Sequence, residues 1–297
     1  MTQPADNQPW TVLRLINWTK DYFAGKDVDC PRLAAELLLA HVLGCPRIAL
    51  YAQFEKVPDP RQLADYRALV KRAAAAEPVA YLVGHKEFYS LDFLVTPHVL
   101  IPRPETELLV DVAVEHLKAA GEAPRYWDAF TGSGCIAAAV GKHAPAARIL
   151  ATDASAEALD IARQNLARHG LEDRATLALV SLLSLPRELA GLAPFDAITA
   201  NPPYVTDAQM EELPAVVRCE PVDALAGGAD GLDCIKPVLS QAPDLLAAGG
   251  LLAMEIGAGQ AAAVWDLAAA VGRYGRLAFI RDAGGIERVL VAQKKSA

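Results

Sequence analysis

The chain has 297 residues, which at roughly 150 residues per domain predicts about two domains and enough apolar residues for a full-sized core. Hydrophobic residues make up 53% and charged residues 22% of the sequence, a composition that excludes intrinsic disorder as the main state. The formal net charge is −8, which disfavours binding to a nucleic-acid backbone and favours a protein or small-molecule partner.

The sequence also argues against a membrane protein. No apolar run approaches the roughly 18 residues that a bilayer span needs. The first ten residues, MTQPADNQPW, are polar, and no signal-peptide core follows them. We therefore expect a cytoplasmic protein with no membrane partner.

The first third of the chain, from Trp10 to about Pro78, has a helical pattern. Apolar residues recur at three- and four-residue steps, which is the spacing of one helix face, at Leu63, Tyr66, Val70 and Ala73. Helix starts are predicted at Pro31 and at Asp59-Pro60, and helix ends at Gly44 and Pro78.

A short joining segment follows. Glu87 to Val95 mixes aromatic and β-branched residues, which predicts a strand or hairpin. Pro104 then predicts a helix start, with acidic residues in the first turn. We therefore divide the sequence into a small helical domain at 1–84, a hairpin and linker at 85–104, and a larger domain at 105–297.

The larger domain alternates short apolar strands with alanine-rich helices. This alternation is typical of an α/β fold with a mainly parallel sheet. Seven strands are predicted, at Tyr126 to Ala129, Arg148 to Thr152, Thr176 to Val180, Phe195 to Ala200, Gly250 to Ile256, Leu277 to Ile280 and Arg288 to Ala292.

A glycine-containing loop, Phe130-Thr131-Gly132-Ser133-Gly134, follows the first of these strands. Its two glycines allow the backbone to approach a ligand closely. Asp153 ends the second strand, nineteen residues after Gly134, where a carboxylate can accept hydrogen bonds from both hydroxyls of a ribose. Together the loop and the carboxylate predict a nucleoside site.

The details of this loop distinguish between two kinds of nucleoside cofactor. The third glycine of a dinucleotide-binding G-x-G-x-x-G loop is missing. Asp128, at the end of the preceding strand, would repel a pyrophosphate but suits the positively charged end of S-adenosylmethionine. The charge pattern therefore favours S-adenosylmethionine.

The fourth predicted strand ends in Asn201-Pro202-Pro203-Tyr204, at the sheet edge where open α/β folds bind ligands. Consecutive prolines have no N–H groups and hold the chain extended. The Asn201 side-chain oxygen and the Pro202 carbonyl can each accept one hydrogen of a planar –NH2 group, and the Tyr204 ring can cover its plane. The motif predicts binding of an amide or exocyclic amine, with Asn201, Pro202 and Tyr204 as catalytic residues.

The five cysteines and six histidines are widely scattered. They form no C-x-x-C pair, no Cys/His ligand spacing and no H-E-x-x-H motif. Neither disulfides nor a metal site is predicted.

In combination, the motifs resemble those of the HemK/PrmC family, bacterial protein-(glutamine-N5) methyltransferases that act on peptide chain release factors. The likeness covers nearly the whole chain. It is carried by the helical N-terminal domain, the run LIPRPETE at 100–107, the loop at 131–134, the NPPY motif at 201–204, and the stretch from Glu220-Pro221 through Gly227-Gly228 to Asp230-Gly231-Leu232.

The resemblance implies a seven-stranded class I (Rossmann-like) S-adenosylmethionine-dependent methyltransferase sheet and a helical N-terminal domain that docks the protein substrate. It implies a product, N5-methylglutamine, in a Gly-Gly-Gln loop of the release factor. The cofactor-binding residues it implies are Phe130, Thr131, Gly132, Ser133, Gly134, Asp153, Leu182 and Asn201. The substrate-binding residues it implies are Asn201, Pro202, Pro203 and Tyr204.

Two positions depart from the family pattern. Phe130 replaces a small residue, often glycine, and we expect its bulk to crowd the methionine end of the cofactor. At the end of the third strand Ser181 stands where an acidic residue is usual, with Leu182 as the residue that packs on adenine. A hydrogen bond to a charged partner is worth roughly 1.5–3 kcal/mol and a neutral one about 1 kcal/mol, so we expect this change to weaken cofactor binding.

Three alternatives stay open at this point. A sister family that also carries NPPY methylates a ribosomal-protein glutamine. An N6-adenine or rRNA amino-methyltransferase would need a basic groove, which the net charge disfavours. A binding-only relative would have lost catalysis through Phe130 and the missing carboxylate.

Overall fold

The computed structural model describes residues 8–26 and 28–296, and the chain divides into two compact units. The first unit extends to Gly84 and also includes Ala215–Cys219. The second comprises His85–Pro214 and the residues from Glu220 onward.

The first unit is helical in its described part. Its α-helices are α1 (Val12–Ala24), α2 (Pro31–Leu43), α3 (Pro60–Ala73) and α4 (Val79–Val83), with a 3-10 helix at Arg47–Ala52. The predicted face of α3 is confirmed, since Tyr66, Val70 and Ala73 are buried and Leu63 packs against the same cluster.

The predicted helix boundaries are confirmed with one exception. Pro31 opens α2 and Gly44 closes it in the left-handed conformation. Asp59 caps α3 through a reciprocal capping box with Gln62. Pro78, however, does not end α3, which stops at Ala73; it precedes α4 as its N-cap, because a proline is well tolerated where a helix begins.

The second unit begins with the predicted hairpin. Strands β1 (His85–Phe88) and β2 (Leu91–Leu94) pair antiparallel. Phe88 and Phe93 are buried and join the main core cluster, so the hairpin packs on the sheet domain.

The predicted seven-stranded sheet is confirmed within residues 85–296. Its strands are β3 (Arg125–Ala129), β4 (Arg148–Asp153), β5 (Ala175–Leu179), β6 (Phe195–Ala200), β7 (Leu246–Glu255), β8 (Tyr274–Arg281) and β9 (Glu287–Lys294). The α-helices of this unit are α5 (Glu107–Ala119), α6 (Cys135–His143), α7 (Ala156–Arg168), α8 (Asp207–Glu212), α9 (Ile235–Leu245) and α10 (Ala261–Val271).

The strand order is β5-β4-β3-β6-β7-β9-β8. All neighbours from β5 to β7 are parallel, and β9 runs antiparallel to both β7 and β8. Two apolar clusters cover the two faces of the sheet, one around Tyr126 and the other around Trp127, because successive residues of a strand point to opposite faces. Strand β7 begins at Leu246, four residues before the predicted start at Gly250. The sequence pattern misses this part of the strand because Gly249 and Gly250 are unfavourable within strands.

Candidate active site

The predicted site residues begin at the same level of the sheet. Ala129 of β3 pairs with Thr152 of β4 on one side and with Ala200 of β6 on the other. The residues that follow these three are Phe130, Asp153 and Asn201. Parallel strands end at one edge, so the register alone brings the glycine loop, the acidic residue and the NPPY motif together.

The glycine loop is held by backbone hydrogen bonds to strand β4 and within the loop itself. The Thr131 N–H donates to the Thr152 carbonyl at 2.8 Å, and the Gly134 N–H donates to the Thr131 carbonyl at 2.8 Å. Gly134 has a φ of +77° and caps α6. A Cβ there would lie 3.1 Å from Ala162, so glycine lets the loop and α7 approach closely.

The prediction that Asp128 faces the charged end of a cofactor is wrong. Its side chain is fully buried, and its carboxylate accepts hydrogen bonds from the hydroxyls of Thr131 at 2.6 Å and Thr199 at 2.7 Å and from the Ala137 N–H at 3.2 Å. Burial raises the pKa of Asp128 to about 6. Asp128 therefore supports the glycine loop from the protein interior and does not line the cavity.

Phe130 adopts a φ of +58°, in the left-handed region that favours glycine. Its half-buried ring lines the cavity and packs against the apolar cluster around Trp127. The backbone conformation gives a physical reason why a glycine suits this position.

Asp153 is oriented by two backbone donors. Its Oδ2 accepts from the Gly132 N–H at 2.9 Å, and its Oδ1 accepts from the Ser155 N–H at 2.9 Å. Each oxygen keeps a lone pair for a further donor. Burial raises the pKa of this carboxyl group, and the backbone bonds partly oppose that shift.

A cavity of about 650 Å³ opens at this edge, within the size range of small-molecule sites. The predicted residues that line it are Phe130, Thr131, Gly132, Ser133, Asp153, Leu182, Asn201 and Pro203. Within the part of the chain that the structure describes, Gly134, Pro202 and Tyr204 do not line it: Gly134 caps a helix, Pro202 is buried, and Tyr204 reaches toward Glu255.

The NPPY motif is fixed by contacts on its inner side. Asn201 Nδ2 donates to Thr106 Oγ1 at 3.4 Å, and the Tyr204 hydroxyl donates to Glu255 Oε1 at 3.1 Å. No described residue donates a hydrogen bond to the Pro202 carbonyl. Both predicted acceptors, the Asn201 side-chain oxygen and the Pro202 carbonyl, are therefore left without an internal donor.

The backbone after NPPY pairs with a distant glycine-rich segment. The Val205 N–H donates to the Leu225 carbonyl at 2.9 Å, and the Gly227 N–H donates to the Val205 carbonyl at 2.8 Å. Gln260 Nε2 also donates to the Tyr204 carbonyl at 3.2 Å. These bonds hold the segment that contains Gly227-Gly228 beside the NPPY motif.

The segment that follows β5, the third strand of the larger domain along the chain, contains Ser181 and Leu182. Leu182 lines the cavity with a φ of +56°, and Ser181 is exposed beside it. No carboxylate follows directly on β5 at 180–183.

Sequence reasoning missed several charged residues of the cavity. Glu157 and Asp223 line it together with Asp153, whereas Arg103 is its one arginine among the described residues. Arg103 forms an ion pair with the buried Glu220, which also accepts from the Ile101 N–H at 3.0 Å. A hydrogen-bonded acid thus ties the 100–103 segment to the Glu220-Pro221 segment, and the net charge of the cavity favours a cationic ligand.

The described residues contain neither a cluster of potential metal ligands nor a membrane-spanning helix. No group of three or more histidine, cysteine or acidic side chains in 8–26 and 28–296 is placed to hold a metal ion. No helix in the same ranges has both the length and the apolar character of a membrane span.

Two family models match this chain, and a solved structure shares its fold. Residues 14–84 match the family model of the PrmC N-terminal domain, and residues 106–218 match that of the methyltransferase small domain. A methyltransferase structure from Pyrococcus furiosus shares the fold, with a TM-score of 0.51 and 18% identity over 78% of this chain and 99% of that one.

Close relatives extend over the full length. A release factor glutamine methyltransferase from Rhodopirellula baltica is 42% identical over 99% of this chain and 100% of its own. Another from Geobacter sulfurreducens is 42% identical over 95% of this chain and 96% of its own. The chain belongs to the release factor glutamine methyltransferase family.

Proposed function

We propose that this protein transfers a methyl group from S-adenosylmethionine to the side-chain amide nitrogen of the glutamine in the Gly-Gly-Gln motif of peptide chain release factors. The single observation that carries the proposal is the strand register, which brings Asn201, whose side-chain oxygen has no internal donor, to the cavity beside Asp153 and the glycine loop. The names of the full-length relatives favour a release factor over a ribosomal protein as substrate.

The residues of the cavity fit S-adenosylmethionine. Asp153 would hold the ribose, because each of its oxygens already accepts one backbone N–H and keeps a lone pair for a hydroxyl. Leu182 offers an apolar side chain for adenine, and the acidic lining suits the positive charges of the methionine end. When bound, S-adenosylmethionine supplies a methyl group on a positively charged sulfur, which keeps the electron pair of the broken bond.

The substrate amide is the weak nucleophile of the reaction, since its nitrogen lone pair is delocalised. Asn201 and Pro202 would accept its two N–H groups and turn the nitrogen toward the cofactor end of the cavity. These hydrogen bonds strengthen as the nitrogen becomes positive, so they stabilise the transition state more than the ground state. The nitrogen gains the methyl group and then loses one proton to water, which removes the need for a strong general base.

The proposal is tested by incubating purified release factor with this protein and S-adenosylmethionine and mapping the product by mass spectrometry. We expect one added methyl group on the peptide that contains Gly-Gly-Gln. Methylation confined to a ribosomal protein or to nucleic acid, offered in parallel reactions, would contradict the proposal. If calorimetry detected no binding of S-adenosylmethionine to this protein, the protein would be an inactive relative and the proposal would be wrong.

The role of Asn201 is tested in the same assay. Asn201→Ala removes one acceptor, and we expect turnover to fall by about 100-fold or more, as when one preorganised hydrogen bond to a transition state is lost. The affinity for S-adenosylmethionine should stay close to that of the wild type. Near-normal turnover would remove Asn201 from the mechanism.

A further inference from the structure

A chain of polar side chains lies behind the NPPY motif. Asn201 Nδ2 donates to Thr106 Oγ1 at 3.4 Å, and the Thr106 hydroxyl donates to Glu255 Oε2 at 2.7 Å. The other oxygen of Glu255 accepts from the Tyr204 hydroxyl at 3.1 Å. One carboxylate therefore reaches both ends of the motif, Asn201 through Thr106 and Tyr204 directly.

The register of the sheet explains this arrangement. Ala200 of β6 pairs with Met254 of β7, so Asn201 and Glu255 are the next residues on two adjacent parallel strands. Thr106 is supplied by the 3-10 helix Pro104–Thr106, immediately before α5.

The hydrogen bonds of this chain have a fixed direction. When Glu255 is ionised, its carboxylate can only accept, so it takes the hydroxyl protons of both Thr106 and Tyr204. The Thr106 oxygen then has only lone pairs to offer, and the –NH2 end of Asn201 must face it. If the amide were reversed, its oxygen would oppose the lone pairs of Thr106. The acceptor end of Asn201 is thus turned to the cavity.

The burial of Glu255 does not favour the stability of the fold. The residue is 2% exposed and forms no ion pair within the described chain. Burial raises its pKa, whereas the hydroxyls of Thr106 and Tyr204 and the positive charge of Arg288 lower it. Burying an acid with two hydroxyl partners costs more than burying an apolar side chain, which points to a role in the site.

We infer that Thr106 and Glu255 are positioning residues that fix the orientation of the Asn201 amide so that its oxygen accepts a hydrogen of the substrate amide. The inference rests on the proposed function and adds two residues to it: Thr106, which also borders the cavity, and Glu255, which does not line it. They act through Asn201 and set which end of its side chain meets the ligand.

The test uses two substitutions at one position. Thr106→Val keeps the shape of the side chain but removes the hydroxyl, and Thr106→Ser keeps the hydroxyl. We expect Thr106→Val to lower kcat by about 10-fold or more, with an unchanged affinity for S-adenosylmethionine in calorimetry, and Thr106→Ser to restore most of the rate. Equal rates for the two variants, whether high or low, would overturn the inference.

A second readout does not depend on activity. In protein with ¹⁵N-labelled asparagine, the side-chain –NH2 signal of Asn201 should shift in Thr106→Val and Glu255→Gln and stay near its wild-type position in Thr106→Ser. An unmoved signal in the first two variants would overturn the inference even if release factor proved not to be the substrate. Failure of the wild type to methylate release factor would contradict only the proposed function.

Tyr274→Phe serves as the control for loss of a buried hydrogen bond. The Tyr274 hydroxyl donates to the Leu239 carbonyl at 2.7 Å, on the opposite edge of the sheet from the site. We expect this variant to lose stability and keep the wild-type kcat and Asn201 signal. If Thr106→Val and Tyr274→Phe affected kcat equally, the effect would be structural and the inference would fail.

Discussion

Asn165 holds both backbone polar groups of Leu94 with its side-chain amide. Its Oδ1 accepts from the Leu94 N–H at 2.8 Å, and its Nδ2 donates to the Leu94 carbonyl at 2.9 Å. The same Nδ2 donates to the Ser133 carbonyl at 2.8 Å. A single fully buried side chain on α7 therefore joins the hairpin to the glycine loop.

We expect Asn165→Leu to lower the free energy of unfolding by about 3 kcal/mol or more. The substitution leaves an N–H and two carbonyls without their partner, and each unpaired buried group costs roughly 1–3 kcal/mol. Affinity for S-adenosylmethionine should fall as well, because the loop loses its support. Urea denaturation and calorimetry measure the two effects.

The matched control is Gln164→Leu, one residue earlier on the exposed face of the same helix. We expect it to change stability by no more than about 0.5 kcal/mol. Similar losses in the two variants would mean that the amide of Asn165 contributes nothing beyond its burial.

The strands and the main motifs of this protein could be predicted from the sequence because each depends on local information. A strand buried on both faces appears as a short apolar run, and NPPY and the glycine loop are contiguous. Glu255 could not be predicted as a neighbour of Asn201, since that contact arises from the pairing of β6 with β7. The acid that ends the apolar run LLAME was the available signal.

The direction of the Asp128 side chain also could not be predicted from the sequence. Its position at a strand end was evident, but the face to which it points depends on what packs there. The start of α6 and Thr199 of the next strand surround it, so its charge is satisfied internally. The assignment of site residues to cofactor and substrate, and the division of the chain at 84 and 104, stay predictions.

The backbone of Phe130 provides a prediction on stability. Phe130→Gly and Phe130→Ala both remove the ring, but only glycine adopts a φ of +58° without strain. The glycine variant should therefore be the more stable of the two by about 1 kcal/mol in urea denaturation. A more stable alanine variant would show that the left-handed conformation is not kept.

The ring of Phe130 provides a separate prediction on cofactor affinity. Because the ring lines the cavity, we expect both variants to bind S-adenosylmethionine more tightly than the wild type does. Calorimetry measures this directly. Weaker binding in both variants would show that the ring contributes a favourable contact with the cofactor.

Asp128 gives stability a specific pH dependence. Burial raises its pKa from 3.8 to about 6 in the folded protein, so between these values the folded state binds more protons than the unfolded state does. Stability therefore falls as the pH rises from about 4 to 6. At about 1.4 kcal/mol for each tenfold change in proton affinity, the loss amounts to about 3 kcal/mol.

The comparison with Asp128→Asn isolates this effect from other carboxyl groups. The free energy of unfolding of the wild type, minus that of the variant, should decrease across this pH range and be constant above it. Urea denaturation at a series of pH values measures the difference. A difference that increased with pH would indicate that the hydroxyls of Thr131 and Thr199 hold the pKa below its ordinary value.

Gly227 provides the sharpest test of how the NPPY motif is supported. A Cβ at this position would lie 2.8 Å from the Tyr204 Cα and 2.9 Å from the Pro203 carbonyl oxygen, and both are backbone atoms that cannot rotate away. We expect Gly227→Ala to lower the free energy of unfolding by about 1–3 kcal/mol and to reduce methyl transfer. Gly191→Ala is the control, because a Cβ at Gly191 meets no atom within 4 Å. If both variants kept wild-type turnover, the backbone beside Gly227 would be free to move without disturbing Asn201, and the rigid support of the motif would be refuted.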